Sequence, residues 1–151
     1  MNGYAFDNIE DLQRNRDLER DGTELGLPGG RTLIVRAASD ANPQWRAQSE
    51  KIAAELRRLG NARATNERVR GFLARKYAEL LVRDWHGITS KGKEVPYSVE
   101  AGEAFLLAAD DAYAAVDAIV YETKNFRGQR IEAVVAEAKN SAAGTASTVP
   151  R

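Results

Sequence analysis

Asn66-Glu-Arg-Val-Arg-Gly-Phe-Leu-Ala-Arg-Lys-Tyr-Ala-Glu-Leu-Leu-Val-Arg-Asp-Trp-His-Gly87 is the stretch on which the reading of the fold turns. Val69, Phe72, Leu73, Tyr77, Leu80, Leu81 and Trp85 recur at helical spacing and form an apolar stripe wide enough to face a core. Arg68, Arg70, Arg75, Glu79 and Arg83 occupy the opposite side. The spacing predicts one helix from Thr65 or Asn66 to about Trp85, stopped by Gly87, with His86 at its C-terminal end.

Working outward, Asn42-Pro43 reads as a helix start, with Asn as cap and Pro in the first turn. Trp45, Ser49, Ile52, Leu56 and Leu59 follow at helical spacing as far as Gly60-Asn61. Before it, Thr23–Leu27 and Arg31–Arg36 flank Pro28-Gly29-Gly30, a loop whose glycines supply the positive φ that hairpin turns need. On the other side, Ile88 to Pro96 is a polar loop. Ser98 is a cap for a short helix carrying Phe105, Leu106 and Leu107, and Asp110 or Asp111 caps the next, with Tyr113, Val116, Ile119 and Val120 on its apolar face. A last helix is expected from about Gln129 through Ile131, Val134, Val135 and Ala138. The fold expected is therefore mainly α: a compact helical domain with an N-terminal β-hairpin and a disordered C-terminal tail. Its divisions are a polar arm over 1–22 with a loose helix over Ile9 to Arg20, a single helical domain over 23–140 with the hairpin at 23–37, and the tail over 141–151.

A chain of 151 residues suits one domain. The 43% hydrophobic and 29% charged composition is globular. Lys and Arg number 22, as do Asp and Glu, but the signs are segregated. Seven acids lie between Asp7 and Glu24, seven bases between Arg57 and Lys76, and seven acids with no base between Glu94 and Glu122. Such blocks complement one another within a subunit or across a subunit contact. No basic start leads into an apolar run at the N-terminus, and no stretch has the roughly 18 apolar residues of a membrane span, so a soluble protein of the cytoplasm is expected.

Cysteine is absent and His86 is the sole histidine, which removes thiol chemistry, disulfides and His-based metal clusters. There is no nucleophile elbow, phosphate-binding loop or dinucleotide fingerprint. Asp110-Asp111 could do acid–base work, but two acids ahead of a helix are more simply a cap and a dipole partner. An enzyme is not expected, and no catalytic residue, cofactor or metal is assigned. The basic run between Arg57 and Lys76 is the one feature suited to nucleic acid. A pI near 6.6 and the absence of interleaved exposed aromatics argue against it.

Two stretches resemble a known family. The first is Glu19-Arg-Asp-Gly22, then Leu27-Pro-Gly-Gly-Arg-Thr-Leu-Ile-Val-Arg-Ala37 and Asn42-Pro-Gln-Trp45. The second is Leu81-Val-Arg-Asp-Trp-His-Gly87, a polar loop, Val95-Pro-Tyr-Ser-Val-Glu-Ala101 and Phe105-Leu-Leu107. Both are similar to the tail assembly chaperones of long-tailed, siphovirus-like bacteriophages. The linker Ala38–Ala41 is longer than that pattern, and the C-terminal tail matches nothing in it. In the second stretch Trp85, Gly87, Pro96, Tyr97 and Ser98 read as architectural. Trp85 is expected to close the long helix, and Tyr97 to pack on the first turn after the cap as a hydrophobic staple.

The resemblance implies a protein that binds the tape measure protein and keeps it soluble until tail-tube protein polymerises around it. Such a protein acts in the host bacterial cytoplasm, is absent from the mature virion, and in some members has a frameshifted longer product. Masking a long helical chain with many weak contacts calls for a homo-oligomer. The candidate partner contacts are Phe105, Tyr113, Val116, Ile131 and Val134, each of which also suits a core position. The competing readings are a structural or connector component of the particle and a small DNA-binding regulator.

Overall fold

The stretch read as one long helix divides at Leu81. In the computed structural model, which describes residues 3–133, helix α3 (Asn66–Leu80) ends there and Val82–His86 forms a strand, β3. The mainly-α expectation is thereby overturned. Thr23–Leu27 (β1) and Arg31–Val35 (β2) pair antiparallel, β3 pairs antiparallel with β2, and Ile131–Glu132 (β6) pairs parallel with β1. The result is a mixed four-stranded sheet in the order β3-β2-β1-β6. A separate small ribbon, Thr89–Ser90 (β4) with Lys93–Glu94 (β5), fills the loop after β3.

A bulge explains why β3 looks helical in sequence. Val82 pairs with Val35 and Asp84 with Ile34, so β3 carries an extra residue, Arg83, at that step. Leu33 and Val35 both face the core, so Trp85 opposite Leu33 and Val82 opposite Val35 are also turned inward. Two inward residues three apart reproduce the helical period on a strand. β3 is one rim of the sheet. There the Trp85 N–H donates to the Asp84 carboxylate at 2.8 Å, and the Arg83 guanidinium reaches the Asp21 carbonyl at 2.8 Å.

Helices cover one face of the sheet. They are α2 (Pro43–Asn61), α3, α4 (Val99–Ala108) and α5 (Asp110–Ile119), and a short helix α1 (Arg16–Asp21) precedes β1. Between sheet and helices lie Leu25, Leu33, Val35, Tyr77, Leu81, Leu106, Val116, Val120 and Phe126, all essentially inaccessible. The other face is polar. Arg130 crosses it, bonding Glu24, Thr32 and Glu132 from three neighbouring strands at 2.8–3.0 Å. Its guanidinium lies over Gly26, where an added Cβ would come within 2.5 Å of it.

Asn42 joins α2 to the rest. Its side-chain oxygen accepts from the Gln44 and Trp45 N–H groups at 3.2 and 3.3 Å, capping the helix. Its amide nitrogen donates to the carbonyls of Ala37 and Leu80, at 3.0 and 3.1 Å, so one buried side chain ties the end of β2 to the end of α3. Thr65 and Ser98 cap α3 and α4 in the ordinary way, whereas α5 begins after Ala109 with no side-chain cap and holds Asp110 and Asp111 in its first turn.

Other expectations change too. The loose helix over Ile9 to Arg20 is a 3-10 turn at Glu10–Leu12 and then α1. The start of the expected last helix is β6, because Ile131 and Glu132 find partners in Leu25 and Gly26. Val134 onward, with the tail expected at 141–151, lies outside the described residues.

Candidate partner-binding surface

Trp85 sits on β3, not at a helix end. It is buried, its Nε1–H donates to the Val95 carbonyl at 2.7 Å, and its ring meets those of Tyr97 and Phe105 edge-on at 4.9 and 5.5 Å. Tyr97 lies against Gly102, the fourth residue of α4, and its hydroxyl donates to the Ala78 carbonyl near the end of α3 at 2.6 Å. Burial pushes that hydroxyl above its ordinary pKa. Ser98 accepts from Ala101 N–H at 3.1 Å, while Pro96 is exposed in the preceding loop. Gly87 adopts φ +79°, and a Cβ there would come within 2.8 Å of the Gly30 carbonyl oxygen, so this glycine lets the chain leave β3 against the hairpin tip. Trp85, Gly87, Tyr97 and Ser98 thus tie β3, the hairpin, α3 and α4 together. His86, expected at a helix end, is an exposed strand residue opposite Thr32.

The five candidate contacts fare differently. Val116 is fully buried, which places it in the core and removes it from any contact surface. Phe105, Tyr113 and Ile131 are half-buried and pack on the core cluster. Tyr113 stacks on Tyr77 at 5.7 Å beneath the Arg70 guanidinium, and burial pushes its hydroxyl up to about 12. Tyr77 itself donates to Asp117 at 2.5 Å and shares a 2.9 Å bond with Tyr121, a polar clamp between α3 and α5. Val134 lies outside the described residues.

The large apolar side chains that do reach solvent are others. On the helical layer they are Leu107, 42% exposed, and Tyr121, 47% exposed; on the arm they are Tyr4, Phe6 and Leu12. Leu107 was readable in principle. Phe105-Leu106-Leu107 is a run of three, and successive helical residues are turned by about 100°, so one of the three must point away from the core.

The segregated charges pair in part within the subunit. Arg70 reaches Asp110 at 2.6 Å and Arg75 reaches Glu103 at 3.1 Å, joining the basic helix α3 to the acidic α4–α5 layer. On the arm, Arg14 bridges buried Glu19 at 2.5 Å and exposed Asp40 at 2.8 Å, and the Ser39 hydroxyl donates to Glu19 at 2.8 Å. The basic run is thus partly neutralised before any partner arrives. Among the described residues, no helix is long and apolar enough to cross a membrane.

No curated protein and no solved structure gives a significant match to this sequence. A family profile described as YdaY prophage protein does match, over residues 40–140. That span runs from the linker before α2 through the helical layer, β3 and β6. Two-thirds of the sequence lies inside it, and the chain belongs to the YdaY prophage protein family.

Proposed function

We propose that this phage-derived protein is a tail assembly chaperone. It binds the tape measure protein through exposed apolar side chains of its helical layer and keeps that protein soluble in the host cytoplasm until tail-tube subunits displace it. It is then left out of the mature virion. Membership of a prophage family supports the reading, as does the resemblance of the sequence motif from Trp85 to Ser98 to that of the chaperones. The observation that carries it is that Leu107 and the ring of Tyr121 present large apolar surface to water on a layer whose charges pair in part within the subunit.

The mechanism follows from weak, repeated contact. Covering an apolar stripe stabilises by about 25 cal/mol per Å², and two partly exposed side chains per copy give a contact that is easily broken. Several copies on one chain add avidity without making any one contact strong. Self-association of the chaperone belongs to this proposal.

Co-expression with the tape measure protein is the test. The wild type is expected to carry that protein into the soluble fraction, and Leu107→Glu to leave more of it in the pellet. A tape measure protein that is equally insoluble with and without wild-type chaperone would refute the proposal. Stoichiometric recovery of this chain from purified particles would favour a structural component instead.

A further inference from the structure

We propose that the pocket between the end of α1 and the start of α2, lined by Arg20, Asp21, Arg36, Asn42, Pro43 and Gln44, is a carboxylate-binding site. Its volume is about 220 Å³, several times the roughly 30 Å³ that one water molecule occupies.

The first argument is the Arg36 guanidinium. Its Nη1 donates to the Gln44 side-chain oxygen at 2.9 Å, and no other N–H of the group has an acceptor among the described residues. Its Nε is buried without a partner. Buried donors in folded proteins are nearly always satisfied, so one left over marks a place for water or an ion. Arg70 and Arg127 share a lone Nε, but Arg70 has the Asp110 carboxylate at 2.6 Å and Arg127 lines a pocket with Glu10 and Asp17.

The second argument is charge. Arg20 holds the Asp21 carboxylate with two bonds, at 2.8 and 3.0 Å, and lies 3.4 Å from Asp17. Arg83 donates to the Asp21 carbonyl at 2.8 Å, which brings a further cation to the same corner. Neither Arg36 nor Arg83 forms an ion pair among the described residues. Three arginines thus face two acids, and one positive charge is left over. Burial first, and then the nearby Arg83, holds Arg36 below the ordinary arginine pKa, as expected of a cation short of an anion.

The start of α2 adds to this field, since its first turn contains no acid. It adds no donor: Pro43 has no N–H, and Asn42 already accepts from Gln44 and Trp45. The guanidinium must therefore hold the ligand. One surplus charge matches a carboxylate, whereas a phosphate group carries about −1.5 to −2 at neutral pH and would be undercompensated. A planar carboxylate also suits the guanidinium fork, as Arg14 with Glu19, Arg20 with Asp21 and Arg58 with Glu55 show in this chain. Its source is an acidic side chain of another polypeptide or a small free acid. No residue of the pocket belongs to the proposed tape-measure contact, so the site stands or falls separately from it.

Titration of the full chain with sodium acetate, against sodium chloride at equal ionic strength, tests the site by heteronuclear NMR. The signals to follow are the Arg36 Nε–H and the backbone amides of Asp21 and Gln44. Acetate is expected to shift them saturably and chloride to leave them in place. A blocked tripeptide with a central glutamate that saturates below the acetate concentration identifies a polypeptide side chain as the source. One that saturates at the same concentration or above identifies a small free acid. Arg83→Gln should weaken acetate binding about threefold, the worth of one nearby charge in a wet site. Arg36→Lys keeps the charge and loses the fork, and should weaken it about tenfold. If Arg36→Lys melts abnormally, Arg83→Gln carries the test alone. No saturable shift with acetate, an equal response to chloride, or tighter binding of inorganic phosphate than of acetate would overturn the proposal. So would wild-type affinity in either variant that folds normally.

Discussion

Replacing Asn42 with serine separates two jobs that one side chain performs. A serine oxygen can still cap α2, so the bonds from Gln44 and Trp45 survive in kind. It cannot supply the two amide protons that reach the carbonyls of Ala37 and Leu80. Asn42 is 1% exposed, so water has poor access to the carbonyls left behind. Each unpaired buried acceptor costs about 1–3 kcal/mol, which puts Asn42→Ser, with two such acceptors, about 2–6 kcal/mol below wild type. Asn42→Ala also forfeits the cap, a further loss of about 1 kcal/mol. Urea unfolding followed by far-ultraviolet circular dichroism measures both, and an unchanged m-value certifies that stability alone has moved. The expected order is wild type, serine, alanine, with the larger step first. If serine lay within about 0.5 kcal/mol of wild type while alanine fell by the full cap value, the bridge from Asn42 to Ala37 and Leu80 would be energetically empty and the reasoning wrong.

Other outcomes follow from the same structure. Trp85→Ala should cost about 3–5 kcal/mol, since it empties a site lined by Tyr97 and Phe105 and leaves the Val95 carbonyl without its donor; an unshifted melting curve would contradict this. Glu19 is held below the ordinary glutamate pKa by the Arg14 guanidinium first and the Ser39 hydroxyl second, against the opposing effect of burial. Its contribution is therefore complete above the unfolded value of about 4.3 and is lost as the pH falls through the lowered folded value. The stability gap between wild type and Glu19→Gln should be constant near neutrality and narrow in acid, and a gap that is the same at pH 7 and pH 3 would exclude this role. Leu107→Glu should leave the melting temperature nearly unchanged, since a solvent-facing side chain contributes little to folding, while weakening co-solubilisation. A matching loss of stability would show that Leu107 serves the fold.

What could be read from sequence was local. Pro28-Gly29-Gly30 between two β-rich runs, Asn42 ahead of Pro43, and Ser98 ahead of α4 each carry their signal within a few residues, and the structure has a hairpin and two caps there. The misreadings share a cause: they depend on what a residue meets far along the chain. β3 owes its existence to β2, and its bulge disguises it as the last turns of a helix. β6 is two residues long and exists only because Leu25 and Gly26 present an edge. Val116 and Leu107 belong to similar apolar stretches, and only the packing of α4 and α5 on the sheet decides that one is sealed and the other open. Sequence periodicity marks a side chain as apolar and leaves open whether its counterpart is the same molecule or another.

The rim of the sheet bears on how such a protein survives crowding. A naked strand edge invites copies to stack by backbone bonding. On β3 the extra residue Arg83 breaks the regular repeat, and the Asp84 carboxylate occupies an amide that a foreign strand would need. The irregularity that seats Trp85 therefore also makes this edge a poor template for a strand of another copy.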